Sequence, residues 1–258
     1  MKKVLFLFLF GGSFLFADTI KVGMDYQYPP FEYLDQAGNI KGFDVDLANE
    51  LAKRAGFQIE IVKMEYDGIC DAVNAKKVDI GISAFGDDEA TAACDHGVSY
   101  FESELLFVKD KSRKDINTPE NLAGKKVAYD ADSSVLKDVV TAYGGKAVPK
   151  KSGTLVLTLL LLHEGKVDSI VLDSCNAPIL YGKLETLSDA DRDRLDLISG
   201  GLSNFEIYNV QPVDDSETFV IFPKDGSQEA LKNKIDEAIV QMRNDGTIQN
   251  LLNKYGLK

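Results

Sequence analysis

The chain has 258 residues, 45% hydrophobic and 27% charged, enough for one large domain or two modest ones and ordinary for a soluble globular protein. Its formal charge of −12 makes a surface that repels nucleic acid and anionic membranes, so partners of those kinds are excluded. After residue 17 no segment is long and apolar enough to span a bilayer.

The opening MKKVLFLFLFGGSFLFA has the pattern of a signal peptide over residues 1–17. Lys2 and Lys3 give the positive start, Val4 to Phe10 the apolar core, and Ala17 the cleavage edge. No Cys follows the run to carry a lipid, so the expectation is export to a periplasm. Loss of Lys2 and Lys3 leaves 27 basic against 41 acidic residues, a charge of −14.

TIKVGM at 19–24 alternates as a strand, and residues 25–42 form an aromatic-proline loop and a short hairpin turn. Residues 43–55 follow as an amphipathic helix with Asp44 and Asp46 in its first turn and Gly56 as its stop. A strand is expected at 57–64, a short helix at 67–75 and a buried strand at 78–84, a βαβαβ order that implies a parallel sheet flanked by helices. The second unit repeats the first: strand from Gly124, helix 133–143, strand 146–148, helix 155–164, then GKVDSIVLD where the first unit has KKVDIGIS. Residues 191–200 read as turn-rich, 218–224 as a strand, and 228–244 and 248–255 as closing helices. Of three cysteines, Cys70 and Cys94 fall in one half of the chain and can pair. The preferred reading is that all three, Cys175 included, are small buried hydrophobes.

PPFEY, GFDVDLA, YDGICDAV before KKVDI, NLAGKKVA, GKVDSIVLD and FPKDGSQEALKNKIDEAI before NDGTIQNLLNKY fall in one order and spacing. That order resembles the bacterial extracellular solute-binding proteins of family 3, the polar amino acid receptors of ABC importers. The resemblance implies an α/β, two-lobe periplasmic-binding-protein clamshell of type II, each lobe a mostly parallel sheet flanked by helices. Its lobes would be 18–108 with a return at 214–258, and 109–213. It further implies a monomer that needs no cofactor, takes a small polar solute between its lobes and passes it to a membrane permease. Fold alone does not license that function, so the site must be argued from residues.

An α-amino acid needs a cation for its carboxylate, an anion for its ammonium and a wall for its side chain. Tyr28 and Tyr66, at strand ends before turns, match the family's walls, against a plain packing role with the hydroxyls satisfied elsewhere. Asp173, ending the apolar strand IVLD, matches the family's ammonium partner and can also cap the turn after it. Ser133 and Ser134 open a helix whose free N–H groups favour anions, with Asp130 and Asp132 beside them. Asp25, Ser83, Ala84 and Gly86 complete the expected ligand-binding set. One family feature is missing: the Arg that forks onto the ligand carboxylate is replaced by Ala90, in a loop carrying Asp87, Asp88 and Glu89. No Lys or Arg is obviously placed to answer these acids, which points to a solute with net positive charge or an absent or masked carboxylate: an amine, a basic amino acid held through backbone N–H groups, or a small peptide. The other reading is an ordinary amino acid held by hydroxyls and backbone donors.

Three competing functions are weighed. A cyclohexadienyl-dehydratase-like enzyme on this fold has acids available but no anion clamp. A metal site at Cys94 and His96 has only one weak Cys-x-His spacing, and no metal is expected. A degraded receptor that binds a partner protein also accommodates the lost Arg.

Overall fold

The structure is a computed structural model describing residues 18–257 apart from 36, 132, 152–154 and 186. The expected leader at 1–17 and Asp132 therefore lie outside the described residues. Strand β1 (Thr19–Met24) leads into a small antiparallel sheet of β2 (Gln27–Tyr28), β3 (Glu32–Leu34) and β4 (Ile40–Lys41), then into helix α1 (Phe43–Ala55). Strand β5 (Gln58–Lys63), short helix α2 (Ile69–Asn74) and β6 (Ile80–Phe85) follow, with β1 between β5 and β6 and parallel to both.

Helix α1 forms where the sequence placed it because Phe43, Leu47, Ala48, Leu51 and Ala52 share one buried face. Asp44 and Asp46 occupy its positive end, and Gly56 stops it in a left-handed conformation at φ 77°. Its entry is tight: at Gly42 φ is +136°, and a Cβ there would lie 1.9 Å from the Phe31 carbonyl oxygen.

After β7 (Asp95–His96), β8 (Phe101–Asp110) runs into the middle of the chain. There β9 (Lys126–Asp130), α3 (Ser134–Ala142), β10 (Lys146–Lys150), α4 (Leu155–His163) and β11 (Ser169–Asp173) form the second βαβαβ unit, with β9 parallel to both β10 and β11. Helix α5 (Asp189–Asp196) and strand β12 (Phe205–Phe222) lead back, and α6 (Glu229–Asn244) and α7 (Thr247–Tyr255) close the fold against α1. The strand order is β10-β9-β11-β8-β12-β6-β1-β5.

Two sheet regions with separate cores result. Met24, Phe31, Phe43, Leu47, Ile80, Phe222 and Ile239 belong to the first, with Ile69, Val73, Phe85 and Ile221 on its other face. Leu106, Val108, Leu159, Leu162, Ile170 and Leu172 pack on one face of the second region, and Phe107, Val127, Leu136, Val140 and Val171 on the other. Each such side chain contributes about 1.5–3 kcal/mol by leaving water. β8 and β12 cross between the regions: β12 pairs with residues 104–110 of β8 as far as Pro212, resumes at Glu217 opposite Glu102, then joins β6.

The structure corrects three readings. The return strand starts at Phe205, because Phe205 and Ile207 lie opposite Asp110 and Val108 of β8 long before the apolar run at 218–222. The turn-rich stretch contains α5, which buries Leu195 and is capped by Ser188, whose Oγ accepts from the Asp191 N–H at 3.2 Å. Cys70 and Cys94 form a disulfide, with Cα atoms 5.9 Å apart, tying α2 to the segment after β6. Cys94 is thereby removed from any Cys-x-His metal site, and His96 stacks its ring on Phe219.

Candidate functional site

A cavity of about 260 Å³ opens where the carboxyl ends of β11 and β6 and the amino end of α3 meet the crossing strands. Open α/β sheets place ligands at such strand ends. Tyr28 and Phe31 form one wall, their rings stacked with centroids 5.5 Å apart and planes 7° apart. Tyr28 as a residue is 48% exposed. Its hydroxyl is nonetheless pushed well above the ordinary tyrosine range, first by burial and then by Cys175, Asp173 and Glu32 nearby. Ala84, Ser103, Ser133, Asp173 and Cys175 also line the cavity, with Asp214, Ser216 and Thr218 on the β12 side.

Asp173 serves both roles read from the sequence. Its Oδ1 accepts from the Cys175 N–H at 2.8 Å, capping the turn Ser174–Asn176, and from the Ser103 hydroxyl, and the residue faces the cavity. The Cys175 thiol is held well above its ordinary pKa, first by burial and then by the Asp173 charge, so it stays neutral. Ser133 is the N-cap of α3, accepting from the Leu136 N–H at 3.2 Å. Ser134 is the first residue of that helix.

Other expected contacts stand behind the cavity. Ser83 is 1% exposed, and its hydroxyl is spent internally: it donates to Glu32 Oε1 at 2.6 Å and accepts from the Asp25 N–H at 3.1 Å. Ser83 and Asp25 therefore support the floor and do not line it. Tyr66 also stands off the cavity, because the turn Tyr66–Gly68 lays its ring on Phe85, centroids 5.0 Å apart, and its hydroxyl donates to Asp88 at 3.0 Å. Gly86 turns its carbonyl to the Thr91 hydroxyl at 2.7 Å. Asp88, counted among the loop acids, accepts from the Ala90 N–H at 2.8 Å and the Thr91 N–H at 3.2 Å, so its charge is used to build the turn.

Asp130 lies in a smaller adjoining space of about 60 Å³ that shares Leu136 and Asp173 with the main cavity. Lys150 and Lys151 also line that space, so basic groups do stand near these acids, contrary to the sequence reading. The reason is register: β10 runs parallel beside β9, with Lys150 opposite Asp130, which linear spacing does not show. The main cavity has Asp173 and Asp214 but no Lys, Arg or His among its lining residues. A wider groove at Tyr26, Tyr33 and Tyr255 is less suited to a small ligand, because its Lys41 and Lys254 are paired with Asp35 at 2.9 Å and Asp46 at 2.5 Å.

A cleft of this kind beside two strands that cross between two α/β regions defines a two-lobe solute receptor of the type II periplasmic-binding-protein fold. The chain belongs to the bacterial extracellular solute-binding proteins, family 3, whose model matches residues 20–258. It is 27% identical over 241 residues to the "Probable histidine-binding protein" of Campylobacter jejuni, covering 93% of this chain and 86% of that one. It is 25% identical over 238 residues to the L-cystine-binding protein TcyA of Bacillus subtilis, covering 92% and 81%. In three dimensions it is similar to the L-cystine solute receptor of Neisseria gonorrhoeae in its unliganded open conformation, with a TM-score of 0.73, 23% identity and 93% of each chain covered. An ancestral cationic amino acid solute-binding protein aligns with a TM-score of 0.68 and 26% identity, covering 92% of this chain and 95% of that one. These relatives are binding proteins for amino acids.

Proposed function

We propose that the protein is an exported receptor that takes a small amino acid or amine with net positive charge into the cleft and delivers it to the permease of an ABC importer. One observation carries the ligand class: among the described residues, the cavity lining holds two carboxylates, Asp173 and Asp214, and no basic side chain. A cation there gains a charge-assisted partner in Asp173 and the face of Tyr28, whereas a ligand with net negative charge meets like charge. The histidine-binding relative and the ancestral cationic amino acid solute-binding protein support the same reading. The two lobes are 18 to about 103 with 217–257, and the middle of the chain, with β8 and β12 between them as the hinge. Leu105 to Val108 go with the middle because they pair with β11 and pack in its cores. Closure of one lobe on the other then seals the ligand.

Thermal shift and calorimetry of the exported form against arginine, lysine, histidine, putrescine, cystine and glutamate test this. A true ligand at a hundredfold over its Kd stabilises the fold by about 2.7 kcal/mol. The expected result is a shift with the cationic compounds. Tight binding of glutamate with no response to arginine, lysine, histidine or putrescine would overturn the ligand class.

A further inference from the structure

Beneath the cleft floor two carboxyl groups, Glu32 of β3 and Asp44 of α1, are both 0% exposed. Asp44 Oδ2 accepts from the Ala84 N–H at 2.6 Å and the Tyr100 hydroxyl at 3.1 Å, and Glu32 Oε1 accepts from the Ser83 hydroxyl at 2.6 Å. The other oxygen of each, Glu32 Oε2 and Asp44 Oδ1, is buried and receives no hydrogen bond from any N–H or O–H of the described residues. The two carboxyls are nonetheless neighbours: the Asp44 N–H donates to the carbonyl of Phe31, the residue before Glu32, at 2.9 Å, and the two carboxyls hold the adjoining residues Ser83 and Ala84.

Two ionised carboxylates so placed would repel each other without water to screen them. A single proton between them removes the repulsion and satisfies both orphan oxygens at once. The amino end of α1 favours negative charge on Asp44, so the proton resides on Glu32. Burial first, then the Asp44 charge, pushes Glu32 far above the ordinary carboxylate range, and burial also raises Asp44. The titratable groups facing the pair are Asp25 at the end of β1, Tyr28 of β2, Tyr66 before α2 and Tyr100 before β8. Among the described residues, no basic group is among the largest influences on either carboxyl.

The pair holds the cleft floor. Ser83 is fixed by Glu32, and the next residue, Ala84, keeps a left-handed backbone at φ 46° with its N–H on Asp44. Ala84 lines the cavity. We propose that Glu32 and Asp44 share one proton and act, through Ser83 and Ala84, as positioning residues for the first lobe's half of the ligand site, so that fold stability and ligand affinity are both lost as that proton leaves. The affinity half rests on the proposed reading of the cleft; the stability half does not.

The sign follows from linkage. Glu32 is protonated when folded and ionised when unfolded at neutral pH, so folding takes up a proton. This contribution is complete below the unfolded carboxylate range. It falls tenfold in the folding constant per pH unit above that range, until the folded pair itself ionises. Glu32→Gln keeps the geometry without the proton: the amide oxygen accepts from Ser83 and the NH₂ donates to Asp44. Urea unfolding of wild type and Glu32→Gln from pH 6 to 9 is expected to give slopes that differ by one proton, about tenfold per pH unit. Equal slopes would overturn the shared proton. With L-arginine as probe at pH 7, Glu32→Gln is expected to bind close to wild type, while Glu32→Ala or Ser83→Ala loses about tenfold or more. Glu32→Gln as damaging as Glu32→Ala, or Ser83→Ala binding as wild type, would overturn the positioning role. If wild type does not respond to arginine, the ligand reading has failed and the unfolding slopes still decide the shared proton.

Discussion

Asp173 ends a strand, caps a turn and faces the cleft with one carboxyl, and these roles can be separated. Asparagine is as good an N-cap as aspartate, so Asp173→Asn keeps the bond from the Cys175 N–H and removes only the charge. The expected outcome is an unfolding midpoint close to wild type with arginine affinity about 10- to 150-fold weaker, the equivalent of about 1.5–3 kcal/mol for a charge-assisted bond, measured by calorimetry. Equal affinity in the variant would remove Asp173 from the site. The cap at Asp173 was legible in sequence because an acid after three apolar strand residues, Ile170 to Leu172, needs a partner there. At Ser83 the sequence says less: periodicity places it near the end of a strand, but does not show that Glu32, 51 positions away, takes its hydroxyl. Glu32 and Asp44 stood in view in PPFEY and GFDVD, but only the fold brings the two carboxyls together.

At the scale of elements, most of the helices and strands were legible from periodicity and caps. The start of β12 was not, because its first half pairs with β8 through backbone and only part of its side chains are apolar. α5 was hidden for a similar reason: among Asp189–Asp196 only Leu195 is buried, so the helix depends on its cap more than on an apolar face. The disulfide adds a constraint that composition left open. Cys70 and Cys94 close a separation of 24 residues, for which loop entropy gives about 3 kcal/mol. Replacing both by Ala is expected to lower stability by about that amount in urea unfolding, and reductant is expected to lower wild type but not the double variant. α2 also lies tightly on its sheet: a Cβ on Gly81 would stand 2.7 Å from Ile221 Cγ1 and 2.9 Å from Ile69 Cγ2. Gly81→Ala is therefore expected to cost about 1–3 kcal/mol by overpacking, read from the same unfolding curves.

At the scale of the whole molecule, Asp173 connects the cleft to the strands that cross between the two sheet regions. Ser103, which donates to Asp173, belongs to β8 where it crosses between the lobes, and its carbonyl accepts from the Ser216 hydroxyl of β12 at 3.0 Å. Ser216 sits within the break between Pro212 and Glu217, where the two crossing strands lose their regular pairing. A cation drawn to Asp173 therefore acts on the part of the molecule that must bend, and lobe closure is expected to follow binding. Small-angle scattering should show a smaller radius of gyration for wild type with arginine a few-fold above the wild-type Kd, and a smaller change or none for Asp173→Asn at the same concentration. The chain, with 29 basic and 41 acidic residues, also carries a net negative field that favours cations. That field is screened over about 8 Å at physiological ionic strength, so arginine association measured by stopped flow should slow as salt rises from about 10 mM to about 150 mM. Dissociation should change less, because the bond to Asp173 lies inside the closed cleft, where mobile ions do not enter. An association rate that ignores salt would mean that the acidic surface has no part in capture and that selection rests on the cavity alone.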